Sequence, residues 1–188
     1  MGEGGVIATD SDEVAEKARQ LRNLAFLPER RFVHEELGWN YRLGSLQAAL
    51  GLSQMKRLDE VIAARRAIAK RYLERLSDVE SFKFAPTSTE IAENDFWVFG
   101  ILLQNNLVNK RGEIMTRLAE ANIGTRPFFH PLHLQPIVQK MCGQQANLPV
   151  AENLGKNGFY LPSYPTLTQK QQDFICVNLL NIVAEIGK

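Results

Sequence analysis

Three short segments of this 188-residue chain carry residue types that could do chemistry. The first, Gly38-Trp39-Asn40-Tyr41-Arg42, runs directly into a small and apolar stretch with the look of a helix start. A planar guanidinium fork, an amide donor and the unpaired N–H groups of a helix end together suit an anion such as a phosphate. An ordinary capping and packing cluster would use the same residues, and spacing alone leaves both readings open. The second is the loop Thr125 to Pro136, with three prolines, two histidines and an aromatic pair. Arg126, His130 and His133 could hold a carboxylate, a phosphate or sugar hydroxyls, with Phe128 and Phe129 as apolar walls. Structural histidines would fit there equally, and without carboxylate or thiol partners the pair does not make a metal site. The third is Gly2-Glu3-Gly4-Gly5. No Gly-Lys-Ser/Thr follows it, so it is not a nucleoside-triphosphate loop, and a glycine cluster ordinarily marks a turn. No serine sits in a nucleophile-elbow context.

The elements that must position these segments can be read from periodicity. Val6-Ile7-Ala8-Thr9 has a strand's composition. Asp10, with Glu13 reaching back, predicts a capped helix whose apolar face is Val14, Ala18, Leu21 and Ala25. Leu27 to Asn40 has no sustained period and reads as a loop. From about Ser45 to Leu76 no proline intervenes, and Leu46, Leu50, Leu58, Val61, Ile68, Tyr72 and Leu76 trace one stripe. A single helix of that length would span about 45–50 Å. Its first part, Gln47 to Leu52, is apolar or small on nearly every side, so it should be covered on more than one flank. Strands are expected over Val79–Phe84 and Phe96–Leu103, then a helix over Lys110–Ala121 with Asn122 as its left-handed stop. Pro149 should open a short helix, and Thr168 with Gln171 should cap the last one, which buries Ile175, Leu179, Ile182 and Ile186.

Composition narrows the function classes. The 45% hydrophobic content supports a packed core, and the net charge of +1 provides no footprint for nucleic acid or an anionic membrane. No apolar run approaches membrane-spanning length, and the first residues lack the pattern of a secretory signal. Cys142 and Cys176 stand far apart with no metal-type spacing, which points to a reduced, cytoplasmic protein.

Taken in order and spacing, these motifs resemble the DegT–DnrJ–StrS family of pyridoxal-phosphate-dependent sugar aminotransferases. The resemblance rests on Gly2-Glu-Gly-Gly5, Gly38-Trp-Asn-Tyr-Arg42, Gln47-Ala-Ala-Leu-Gly51, Gln54-Met-Lys-Arg-Leu-Asp59, Gly124-Thr-Arg-Pro-Phe-Phe-His-Pro-Leu-His133 and Leu161-Pro-Ser-Tyr-Pro165. It covers essentially the whole chain, and the loop at 124–133 is similar to that of GDP-perosamine synthases. Trp39, where another aromatic is usual, and Asn122, where glycine is commoner, are small departures.

The resemblance implies an α/β fold: the small domain of a fold-type-I aminotransferase, with one long connecting helix and a small mixed sheet. Residues 1–42 would belong to the large cofactor domain, and 43–188 would form the long helix and the small domain. Asn40 and Arg42 would reach across a homodimer interface, built on the long helix, to the cofactor phosphate. Arg126, Phe128, Phe129 and His133 would border the nucleotide-sugar site. The activity implied is transfer of an amino group from glutamate to a 4-keto-6-deoxy sugar nucleotide. The family's cofactor-carrying lysine precedes Gly-Glu-Gly-Gly, and no lysine here sits in the matching place. The expectation is therefore a C-terminal portion that begins after that lysine, binds no cofactor covalently and does not transaminate alone. The alternatives are a regulatory or interaction module that kept the dimer-forming helix, or a nucleotide-sugar binding module.

Overall fold

Phe99-Gly100-Ile101-Leu102-Leu103 puts Phe99, Ile101 and Leu103 on one face of a strand and Gly100 and Leu102 on the other, all apolar or glycine, as a strand packed into a core requires. In the computed structural model, which describes residues 2–143 and 146–187, this segment is β2 (Phe99–Leu103). Met1 of the glycine-rich opening lies outside the described residues. The described chain divides into two compact units, Met1–Leu58 and Asp59–Lys188.

The second unit is built on a four-stranded sheet. β1 (Phe82–Phe84), β2, β3 (Arg126–Pro127) and β4 (Gly158–Leu161) stand in the order β1-β2-β4-β3. Every neighbouring pair is antiparallel, so the sheet is not mixed as the sequence led us to expect. Residues 85–98 join β1 to β2, whereas β2 and β3, each antiparallel to the β4 strand between them, run parallel to each other and are connected by a crossover through residues 104–125. Pro127, which has no N–H, is tolerated because β3 is an edge strand.

One sheet face carries the core. Phe82, Phe99, Ile101, Leu103, Phe159 and Leu161 are buried there. Against them lie α3 (Leu58–Leu76) through Ile68, Tyr72 and Leu76, α4 (Arg111–Glu120) through Ile114 and Leu118, and α7 (Gln169–Ile186) through Ile175, Leu179 and Ile182. The four-residue spacing of the α3 set puts it on one helix face. Thr168 and Gln171 form the expected reciprocal cap of α7, Asn122 has φ 59° just beyond α4, and Pro149 opens α6 (Pro149–Asn157). The Tyr72 hydroxyl, raised in pKa by its burial, donates to Pro162 O at 2.9 Å and ties α3 to the turn after β4. Cys176 is buried on α7, which pushes its thiol up to about 11 and leaves it a packing residue.

The first unit holds α1 (Asp12–Arg22) and α2 (Ser45–Met55). α1 is capped by Ser11, whose hydroxyl accepts from Val14 N, one residue later than the Asp10 cap the sequence suggested. Val6 to Thr9 forms no strand: Val6 and Ile7 are exposed and no neighbouring strand satisfies their backbone groups. The expected single helix from Ser45 to Leu76 is interrupted at Lys56-Arg57. Arg57 N donates to Gln54 O, a tightened turn of the kind that closes a helix end, so α2 stops at Met55 and α3 begins at Leu58.

Candidate functional site

In the first unit, the chain on either side of Asn23 and Asn40 is drawn into a short antiparallel ribbon. Leu24 N donates to Trp39 O at 2.9 Å, Trp39 N to Leu21 O at 2.8 Å and Tyr41 N to Arg22 O at 3.0 Å, around a bridge between Asn23 and Asn40. Gly38 is required by this approach: a Cβ there would lie 2.2 Å from Ala25 N. Leu24 and Ala25 turn the chain with φ of 63° and 52°. The Arg42 guanidinium donates to Asn23 Oδ1, which fixes its direction, while the exposed Asn40 amide has no side-chain partner among the described residues. Two residues on, Gly44 caps α2 and its N–H donates to Gln47 Oε1 at 3.0 Å. A guanidinium, a carboxamide and the start of a helix thus follow one another within six residues, 40–45. This donor set fits a phosphate.

In the second unit, β3 places Arg126 directly opposite Tyr160 of β4. The Arg126 side chain is exposed and has no ion-pair or hydrogen-bond partner among the described residues. Phe128 N donates to Gly158 O at 2.9 Å, and its ring lies over the outer sheet face, stacked on Tyr160 with centroids 4.6 Å apart. Two glycines make room for that ring: a Cβ on Gly158 would meet Phe128 Cδ2 at 2.2 Å, and one on Gly100 would meet Cζ at 2.7 Å. Phe129 is exposed and meets Tyr160 edge-on, with centroids 6.4 Å apart. Beyond Phe128, an open groove of about 800 Å³ runs along the outer sheet face between Trp97, Lys83 and the α6 side chains Asn153 and Leu154.

His133 lies in a turn of 3-10 helix, Leu132–Leu134, that follows the aromatic pair. Its side chain is only 12% exposed, and Nε2 is 3.0 Å from Glu152 Oε1 on the first turn of α6. That bond holds the Glu152 carboxyl below its ordinary range, with a smaller contribution from Leu148 N–H. His130 is exposed and Arg126 stands at the other end of the loop. The structure therefore joins Arg126, Phe128 and Phe129 through Tyr160, and ties His133 to α6 instead. Tyr160, Gly158 and Glu152 had no signal of their own in the sequence. Each acts through pairing with a residue 19 to 34 positions away, which no local motif encodes. Among the described residues no group of three or more His, Cys, Asp or Glu converges on a metal-binding arrangement, and no helix is long and apolar enough to cross a membrane.

Residues 1–180 match the family model described as the DegT/DnrJ/EryC1/StrS aminotransferase family. The chain is 33% identical to a GDP-perosamine synthase of Caulobacter vibrioides, over 95% of this chain and 47% of that protein. It is 34% identical to the putative pyridoxal phosphate-dependent aminotransferase EpsN of Bacillus subtilis, over 95% of this chain and 46% of that protein. Among solved structures it is similar to NtdA of Bacillus subtilis with bound cofactor PMP, with a TM-score of 0.80 and 27% identity over 94% of this chain and 41% of that one. The chain thus spans about half the length of the curated relatives it matches.

Proposed function

The chain belongs to the DegT/DnrJ/EryC1/StrS aminotransferase family, and from that membership we propose that it forms the phosphate-binding arm and small domain of a nucleotide-sugar aminotransferase. The reaction we assign to the complete enzyme moves an amino group from glutamate to a 4-keto-6-deoxy sugar nucleotide. Pyridoxal phosphate, when bound, supplies the electron sink for that transfer. In this reading residues 1–42 belong with the cofactor domain, and 43–188 are the connecting helix and small domain. Asn40 and Arg42 hold the cofactor phosphate by charge-assisted hydrogen bonds. The lysine that carries the cofactor is not among these residues, so the chain alone does not transaminate.

The observation that carries the substrate side is Arg126: an exposed, unpaired guanidinium beside an aromatic wall of Phe128, Phe129 and Tyr160. A diphosphate or a sugar hydroxyl meets the guanidinium, and a sugar or base face meets the rings. Calorimetric titration with GDP- and UDP-linked sugars tests this, GDP-linked ones first because of the loop's likeness to perosamine synthases. Arg126→Ala should weaken binding by at least about tenfold, the loss of one charge-assisted bond. Equal affinity in the variant would remove Arg126 from the site.

A second reading has one observation behind it. Leu46, Leu50, Leu52 and Met55 of α2 are all exposed, an apolar surface of the kind that marks an interface. We take it as the homodimer face of the enzyme. If the chain self-associates and no nucleotide sugar binds, an interaction module is the better description.

A further inference from the structure

We propose that Glu152 is a positioning residue for the Arg126–His133 loop, holding the proton on His133 Nε2 so that Nδ1 is the ring nitrogen left free to accept from a ligand. The inference rests on the substrate role given above to this loop. Glu152 is the fourth residue of α6, and its Oε1 sits 3.0 Å from His133 Nε2 and 3.4 Å from Leu148 N. An ionised carboxylate only accepts hydrogen bonds, so Nε2 must carry the proton at this contact. The other ring nitrogen, Nδ1, has no hydrogen-bond partner among the described residues. With Nε2 protonated, a neutral imidazole presents Nδ1 as a lone-pair acceptor, suited to a hydroxyl.

Two further contacts make the imidazole's position a property of the fold and not of a mobile side chain. Gln139 Nε2 donates to His133 O at 3.4 Å, tying the turn to α5 (Pro136–Cys142). Pro131 packs onto α6 at Gly155, where a Cβ would lie 2.7 Å from the proline Cδ. Glu152 lies in the first turn of α6, where the helix dipole favours its negative charge. The loop is thus pinned to α6 at Pro131 and at His133, and only the second pin has chemical consequences for a ligand. Carboxylate-held imidazoles of this kind have a defined tautomer, and so a defined acceptor atom.

The test is the tautomer itself. Nitrogen-15 spectra of the imidazole of His133, recorded on the full chain at a pH where the ring is neutral, should show a protonated Nε2 and an unprotonated Nδ1. Glu152→Ala should shift His133 toward a mixture of tautomers while the rest of the backbone spectrum stays in place. Should Glu152→Ala disturb the fold, the isosteric Glu152→Gln, whose amide can also donate, should still reduce the Nε2-protonated fraction. A wild-type His133 protonated on Nδ1 would overturn the proposal with no variant needed, and so would identical tautomer populations in wild type and the folded variants. Nucleotide-sugar affinity is the second arm: the folded Glu152→Ala variant should bind about fivefold more weakly, and unchanged affinity would overturn the ligand-accepting role of Nδ1. If the wild type binds no nucleotide sugar while the tautomers behave as stated, the substrate reading fails and the positioning by Glu152 stands.

Discussion

At the scale of single residues, the candidate site depends on small volumes more than on charge. Phe128 can lie flat on the sheet only because Gly100 and Gly158 leave its ring somewhere to go. Gly158 adopts an ordinary extended conformation, with φ −94°, so backbone strain is not the reason for a glycine there. Space is. Gly158→Ala should therefore displace the Phe128 ring from Tyr160 and cost about 1–3 kcal/mol in overpacking. Denaturant unfolding should show a lower midpoint with an unchanged slope. An unaltered midpoint would mean that the ring moves away freely and that the wall is not built as described. The chemistry-bearing types at 40, 42, 126, 128, 129 and 133 were visible in the amino-acid order because arginine, histidine and aromatic pairs stand out in a loop. What each of them touches was not. The order of residues could not show, for example, that His133 is hydrogen-bonded to Glu152, 19 residues on.

At the scale of elements, local signals were read well and non-local ones poorly. The α7 cap at Thr168 and Gln171 and the left-handed Asn122 needed only their own few residues, and both stand where the spacing put them. Strand limits moved inward, from Val79 to Phe82 and from Phe96 to Phe99, because a strand extends only as far as a neighbour pairs with it. Val6 to Thr9 has the composition and lacks the neighbour. The interruption at Lys56-Arg57 is of the same kind, since a continuous apolar stripe cannot show that its two halves have different surroundings. α3 buries Ile68, Tyr72 and Leu76, while α2 buries nothing among its own residues. The α2 leucines lie idle in a single chain, and we assign them to a second copy. Leu50→Asp, at a position 57% exposed, should leave the fold intact and convert a self-associating chain to a monomer in light scattering at micromolar concentration. A wild type already monomeric there would count against the dimer face.

At the scale of the whole molecule, the two units differ in what holds them. Asp59–Lys188 has a continuous apolar core, whereas among the described residues of Met1–Leu58 only Ala25 is buried. The first unit is held by its ribbon, by the Lys17–Glu36 and Arg30–Glu35 ion pairs and by the Arg42–Asn23 bond. Exposed ion pairs contribute little stability. Such a unit presents donors and an exposed apolar helix, as the phosphate-binding arm we propose requires. Three lysines, Lys17, Lys70 and Lys110, are paired with Glu36, Glu74 and Glu113. The account as a whole turns on the chain offering contacts to a phosphate and a sugar without bonding the coenzyme covalently. Incubation with pyridoxal phosphate, reduction with borohydride and peptide mass mapping measures that directly. Only scattered, substoichiometric labelling of surface lysines is expected. One pyridoxyl group per chain on a single lysine would contradict it.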